Sequence, residues 1–159
     1  MSFKTADLCD EYSERLRIAA PMFGNYGGRK AFCGAVSTVK AFEDNSLVRE
    51  ALQEQGEGRV LVVDGGGSLR CALLGDQLAT LAQRNGWAGV LVYGCIRDSG
   101  DIARIDIGVK ALNTHPLKSV KLGLGERDVS VSLAEVTIHK GDYLYADEDG
   151  VVIADAPLD

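Results

Sequence analysis

Two apolar runs, Arg59-Val60-Leu61-Val62-Val63-Asp64 and Ala88-Gly89-Val90-Leu91-Val92-Tyr93-Gly94, constrain this chain more than any other feature. A half-exposed strand alternates core-facing and water-facing side chains, and neither run does. Near-continuous β-branched stretches of this length belong to strands covered on both faces. Between them lie Gly65-Gly66-Gly67 and then residues 76–84, where Leu78, Leu81 and Ala82 recur at helical spacing before Asn85-Gly86 supplies a stop. Strand, glycine loop, helix and strand form a βαβ-like unit of about 30 residues.

The flanks are patterned differently. A first helix is predicted from Thr5 or Asp7, with Leu8, Tyr12 and Leu16 on one side and acidic residues early. Residues 24–34 form a glycine-rich connection and residues 35–42 a strand. Asn45-Ser46 caps a second helix through about Gln55, with Leu47, Val48, Ala51 and Leu52 as its apolar stripe. In the last third, short strands at 130–133, 135–139, 142–145 and 151–153 alternate with turn residues. Asp147-Glu148-Asp149-Gly150 resembles part of a calcium loop but lacks the twelve-residue ligand pattern, so it is taken as a hairpin turn. With no repeat or linker, 159 residues of which 46% are hydrophobic can bury one substantial core. The expectation is a mixed α/β, single domain over residues 1–159, with layered sheets, a central βαβ unit and a β-rich C-terminal part.

Composition removes several function classes. Binding nucleic acid rests largely on Lys and Arg neutralising phosphates. Here the net charge is −6 and the 17 basic residues are scattered, so no direct nucleic-acid partner is expected, while a basic protein surface stays open as one. No apolar run reaches bilayer length, and the N-terminal residues lack a signal-type stretch. A cytoplasmic protein with no membrane partner is expected. Cys9, Cys33, Cys71 and Cys95 contain no CxxC pair, which argues against a zinc or redox motif and for free thiols. His115 precedes Pro116, and His139 ends an alternating strand, so neither sits in a catalytic constellation. The triple glycine is followed by no Gly-Lys-Ser/Thr and lacks dinucleotide spacing.

In α/β units, ligands gather at the carboxyl ends of strands and at helix N-termini. Three pieces are expected to meet there: the Gly65–Gly67 loop, the helix start Gly75-Asp76-Gln77-Leu78, and Arg97-Asp98 with Asp101 beyond it. Arg97 has the planar fork that suits a substrate carboxylate. Asp98 is a hard oxygen ligand for Mg²⁺ or Mn²⁺, with Asp76 and Asp101 able to hold the metal's waters. A 2-oxo acid chelating such an ion would have its keto group polarised and its enolate stabilised, with help from Arg97 and the helix-start amides. Structural roles also stand open: a surface ion pair for Arg97-Asp98 and an N-cap for Asp76. A lysine Schiff base is disfavoured, since Lys40 is the only lysine inside an expected strand.

Taken together, Leu61-Val62-Val63-Asp64-Gly65-Gly66-Gly67, Gly75-Asp76-Gln77-Leu78-Ala79, Gly94-Cys95-Ile96-Arg97-Asp98 and Gly141-Asp142 with Ala146-Asp147-Glu148-Asp149-Gly150-Val151 resemble the family of the regulator of ribonuclease activity A. That family includes class II 4-hydroxy-4-methyl-2-oxoglutarate aldolases, and some members were once labelled menaquinone-pathway methyltransferases. The resemblance covers essentially the whole chain. It implies a layered β/β/α (swivelling-domain-like) sandwich and a homotrimer, sometimes doubled to a hexamer, with its site near a subunit interface. Substrate contacts are implied at Gly75, Asp76, Gln77, Leu78 and Arg97, and the metal at Asp98. The implied reaction is divalent-metal-dependent cleavage of 4-hydroxy-4-methyl-2-oxoglutarate to two pyruvates, with oxaloacetate decarboxylation as a secondary activity through the same enolate. Some regulatory members lack the carboxylate that Asp98 supplies here, and the larger aldolases carry extra C-terminal sequence that helps complete the site. Leu8-Cys9-Asp10 and Phe42-Glu43-Asp44-Asn45 resemble the regulator branch, which inhibits an RNase E-type endoribonuclease. An acidic trimer suits docking on basic regions of that enzyme or its degradosome. A methyltransferase is disfavoured by the short chain and by the lack of an acidic ribose partner after the glycine loop.

Overall fold

The computed structural model describes residues 2–159. In chain order the elements are helix α1 (Thr5–Tyr12), a 3-10 turn at Ser13–Arg15, strands β1 (Arg17–Ile18), β2 (Gly24–Asn25) and β3 (Phe32–Lys40), helix α2 (Ser46–Leu52), strands β4 (Val60–Asp64) and β5 (Ala72–Leu74), helix α3 (Asp76–Arg84), strand β6 (Gly89–Ile96), helix α4 (Ser99–Ile102), and strands β7 (Gly108–Thr114), β8 (Glu126–Arg127), β9 (Val131–Leu133), β10 (Val136–Ile138), β11 (Tyr143–Ala146) and β12 (Val151–Ala154).

β4 and β6 pair in parallel from Val60↔Gly89 to Asp64↔Tyr93, and their side chains divide between two cores. Leu61, Val63, Val90 and Val92 pack with Val48, Ala51 and Leu52 of α2 and Leu78, Ala79 and Ala82 of α3. Val60, Val62 and Leu91 point the other way, into a second β layer built from the β9–β10 hairpin and from Leu144, Ala146, Val151 and Ile153. Burial on both faces is why these strands tolerate no alternation. Helices, a parallel layer and an antiparallel layer thus give the β/β/α sandwich. β3 joins the two β layers: its first residues pair antiparallel with β11, and Val36–Lys40 pair parallel with β4.

Several boundaries differ from expectation. α1 stops at Tyr12, leaving Leu16 outside it, and α2 stops at Leu52 rather than near Gln55. β3 begins at Phe32, inside the stretch expected to be a glycine-rich connection. The Phe32 ring lies across Gly89 and Gly108, partners on β6 and β7, where a Cβ on either glycine would run into it.

β7 was not expected, and it places a second lysine inside a strand. Lys110, within β7, is only 2% exposed, whereas Lys40 ends β3 exposed. Burial pulls the Lys110 amine down from its ordinary value against the opposing pull of Asp147 and Asp149. It borders a cavity of about 370 Å³ between α1, residues 18–23 and the 148–152 turn. The Asp147–Gly150 segment is the β11–β12 hairpin turn, closed by Asp147 N–H donating to Gly150 O at 3.1 Å. All four cysteines are free, Cys71 and Cys95 buried and Cys9 and Cys33 partly so. Among the described residues no helix is long and apolar enough to cross a membrane.

Candidate active site

The site forms because β5 lies beside the end of β6. Ala72 and Leu74 pair with Cys95 and Ile96, and Arg97 N–H donates to Leu74 O at 2.9 Å. The chain then turns at Gly75 into α3, so Asp76 and Arg97-Asp98 become neighbours although residues 77–96 separate them in sequence. Asp98 Oδ2 accepts the Asp76 N–H at 3.2 Å. A carboxylate from another element therefore meets the first orphan donor of α3 and sits at the positive end of its dipole. A Cβ on Gly75 would lie 2.9 Å from that oxygen, so a larger residue there would push the Asp98 carboxylate aside, while Arg97 Nε at 3.6 Å would be left in ordinary contact.

Asp98 adopts φ 58°, the left-handed region, which short polar side chains tolerate best after glycine. The turn lets its carbonyl accept the N–H groups of Asp101 and Ile102 while its side chain faces Asp76. Both structural alternatives are thereby corrected. Asp76 is the first helical residue, with Gly75 at the cap position. Arg97 makes no ion pair with Asp98; its Nη1 donates to Pro116 O at 3.4 Å.

The Asp76 carboxyl is held above the ordinary carboxylate value, chiefly by the hydrogen bond it shares with the Asp98 carboxyl, then by burial and by the adjacent negative charge. Two facing carboxylates repel unless a proton or a cation lies between them. Among the described residues no group of three or more His, Cys, Asp or Glu suits a metal. A hard cation would draw on Asp76 and Asp98 and leave its other positions to water and substrate, which is the habit of Mg²⁺. The donor set fits that group.

The surrounding pocket has a volume of about 140 Å³. Gly75, Asp76, Gln77, Leu78, Arg97 and Asp98 line one side, so six of the expected residues are brought together. The Leu78 side chain is buried against the helix-side core, leaving its backbone amide as the group it offers the pocket. Asp101 is not in this lining; it is exposed on α4 and pairs with Arg104 at 3.4 Å. The Gly65–Gly67 loop is not in it either, and packs on Phe42 and Tyr93 instead. Ala72 and Leu74 complete the lining together with Asn45, Arg49, Lys118 and Lys121. No spacing signal could have found these four, because α2 and the 117–125 loop are 60 or more residues apart and meet only in the fold.

A sequence profile of the RraA-like family, described as Aldolase/RraA, matches residues 5–153. The chain belongs to this family. An RraA-like relative in Alkalilimnicola ehrlichii is 69% identical over 154 residues, covering 97% of this chain and 96% of its own. Another, in Dechloromonas aromatica, is 62% identical over 162 residues, covering 99% of each. Both carry the name "Putative 4-hydroxy-4-methyl-2-oxoglutarate aldolase". Among solved structures, an S-adenosylmethionine: 2-dimethylmenaquinone methyltransferase from Geobacillus kaustophilus is 52% identical with a TM-score of 0.97, covering 98% of this chain and 97% of its own. The RNA-processing inhibitor RraA from Thermus is 46% identical with a TM-score of 0.96, covering 100% of this chain and 96% of its own. The RraA-like fold is therefore shared by proteins carrying three different functional names.

Proposed function

We propose that this chain is a divalent-metal-dependent lyase that cleaves 4-hydroxy-4-methyl-2-oxoglutarate to two pyruvates and decarboxylates oxaloacetate through the same pyruvate enolate. The observation that carries this reading is the pair of facing carboxylates, Asp76 and Asp98, set beside Arg97 at the start of α3. The names of the close relatives support it.

Arg97 binds the carboxylate beside the keto group and holds negative charge as it grows on the keto oxygen. The first-turn amides of Gln77 and Leu78 add to that field. A divalent cation held by Asp98, with Asp76 reaching it through water, would supply Lewis-acid polarisation of the keto group. As the C3–C4 bond breaks, its electron pair moves toward the keto oxygen and the 4-hydroxyl proton leaves, giving one pyruvate and one enolate. Asp76, with its raised carboxyl, is placed to take that proton through a held water and to return one to C3 of the enolate. In oxaloacetate, carbon dioxide departs in place of the first pyruvate.

The test is pyruvate release from both compounds with Mg²⁺, with chelator, and in Asp98→Asn, which keeps a side chain suited to φ 58°. Metal-dependent turnover that falls on the order of 100-fold or more in the variant is expected. Turnover unaffected by chelator and by Asp98→Asn would overturn the assignment.

We propose further that the chain assembles as a homotrimer. Phe42, Leu69, Leu117, Val120, Leu122 and Leu124 are each more than half exposed, on three segments joined by the hydrogen bonds of Glu43 and Asp44 and bordering the pocket through Asn45, Lys118 and Lys121. A second reading, inhibition of an endoribonuclease, draws support from the likeness to the Thermus RNA-processing inhibitor and from the net charge of −6. Retention on the basic part of that nuclease at physiological salt is its test.

A further inference from the structure

The pocket that holds Asp76 and Asp98 carries more positive charge than the reaction centre needs. Arg49, Lys118 and Lys121 line it, with Arg97 at its edge, in a chain whose net charge is −6. Among the described residues none of these four cations forms an ion pair, while nine other pairs take up cations elsewhere. Two carboxylates share the pocket with the four, and a divalent cation would balance those two. Arg97 suffices for one substrate carboxylate. The other three cations are left without an anion.

Asn45 supplies a second, independent observation. It lines the same pocket at 9% exposure and brings an amide donor to it. An amide oxygen can only accept, so an anion meets Asn45 through its Nδ2, which donates to no group among the described residues.

This part of the lining is also built rigidly. Asp44, fully buried, accepts the N–H and hydroxyl of Ser46 on Oδ1 at 2.9 and 2.6 Å, and the N–H groups of Leu122 and Leu124 on Oδ2 at 2.8 and 3.2 Å. Ser46 Oγ accepts the Gly123 N–H, and Ser119 Oγ accepts the Asn45 N–H. Ala72 N–H donates to Leu117 O at 2.8 Å. Both ends of the loop that carries Lys118 and Lys121 are thus pinned, one to β5 and one to the start of α2. The Phe42-Glu43-Asp44-Asn45 segment, which the reaction itself leaves without a task, provides the clamp.

We propose that Arg49, Lys118 and Lys121, together with Asn45, form a second anion subsite that receives the distal carboxylate of a dicarboxylic 2-oxo acid, with Asp44 as its positioning residue. This deepens the lyase reading and rests on it for the placement of the first carboxylate at Arg97.

The test compares binding of 2-oxoglutarate with that of 2-oxopentanoate, in which a methyl group replaces the distal carboxylate, by calorimetry with Mg²⁺ present. The expected result is at least about a tenfold preference for 2-oxoglutarate, falling to near unity in Lys118→Met/Lys121→Met while 2-oxopentanoate affinity is unchanged. Both lysines are exposed, so the variant keeps its fold. Asp44→Asn should lose the preference in part, again without weakening 2-oxopentanoate. Equal affinities for the two acids, no binding of 2-oxoglutarate, or a preference unchanged in the lysine variant would each overturn the proposal. Exchange of pyruvate methyl protons into D₂O tests the enolate chemistry without the second carboxylate. Exchange without preference removes the subsite and leaves the lyase; preference without exchange does the reverse.

Discussion

At Gly75 the backbone passes so close to Asp98 that a methyl group would push its carboxylate aside, while Arg97 at 3.6 Å would stay in ordinary contact. Gly75 carries φ −124° and needs no left-handed freedom, so alanine there disturbs the site rather than the helix. Gly75→Ala should therefore lower turnover by about 100-fold, the usual result of misplacing a reacting group by about 1 Å, with an unfolding midpoint close to that of the parent. A matched loss of stability would show that the contact is structural. Asp44 invites a pH prediction. Burial alone would push its carboxyl up, but the Ser46 hydroxyl and the amides of Ser46, Leu122 and Leu124 hold it down to about 2. A carboxyl depressed in the folded state contributes stability that is present above its unfolded value near 4 and is lost as pH falls through about 2. That contribution is on the order of 1–2 kcal/mol, and the parent should lose it between pH 4 and 2. Asp44→Asn should be less stable at pH 7 and flatter across that window, as denaturant titrations at several pH values would show.

Among the elements, β4, α3 and β6 were legible because each obeys one period throughout. Unbroken apolar residues marked the doubly covered strands, and Leu78, Leu81 and Ala82 marked the helix. β7 was not legible, since Lys110 interrupts its apolar run and the burial of that side chain is decided by α1 and the 148–152 turn, far away in sequence. β5 spans only Ala72–Leu74, too short to show a period, yet it brings Asp76 to Asp98. The sequence therefore offered the candidate site residues without the strand that joins them, and it offered none of Asn45, Arg49, Lys118 and Lys121. Two substitutions test these elements. Gly108→Ala, which forces the Phe32 ring off β6 and β7, should destabilise the fold by about 3 kcal/mol, in the upper range for overpacking. Lys110→Met removes an amine whose charge burial disfavours beside the cavity it borders, and should stabilise the protein by about 1 kcal/mol at pH 7. Because burial lowers the folded-state value of that amine, the gain should shrink as pH rises toward 10 and the parent lysine becomes neutral. Thermal unfolding at pH 7 and near pH 10 measures both the sign and the trend.

For the whole molecule, the exposed apolar residues beside the site and the charge of −6 make opposite demands on assembly. Six large apolar side chains on adjoining loops favour association, and like net charge opposes it. Leu122→Asp adds charge to the apolar face at its most exposed member, 71% accessible. Sedimentation should report a trimer for the parent and a monomer for this variant, while a parent that sediments as a monomer would refute the assembly. Leu122 and Leu124 are also the residues whose backbone amides Asp44 grips, on the loop whose other side chains include Lys118 and Lys121. In the proposed trimer one short loop would answer to two ligands, a neighbouring subunit on its apolar side and an anion on its basic side. Linked equilibria are reciprocal: whatever factor assembly gives to anion affinity, the anion must return to assembly. Dilution should then weaken binding of the dicarboxylate, and saturating dicarboxylate should hold the oligomer together at concentrations where the free protein dissociates.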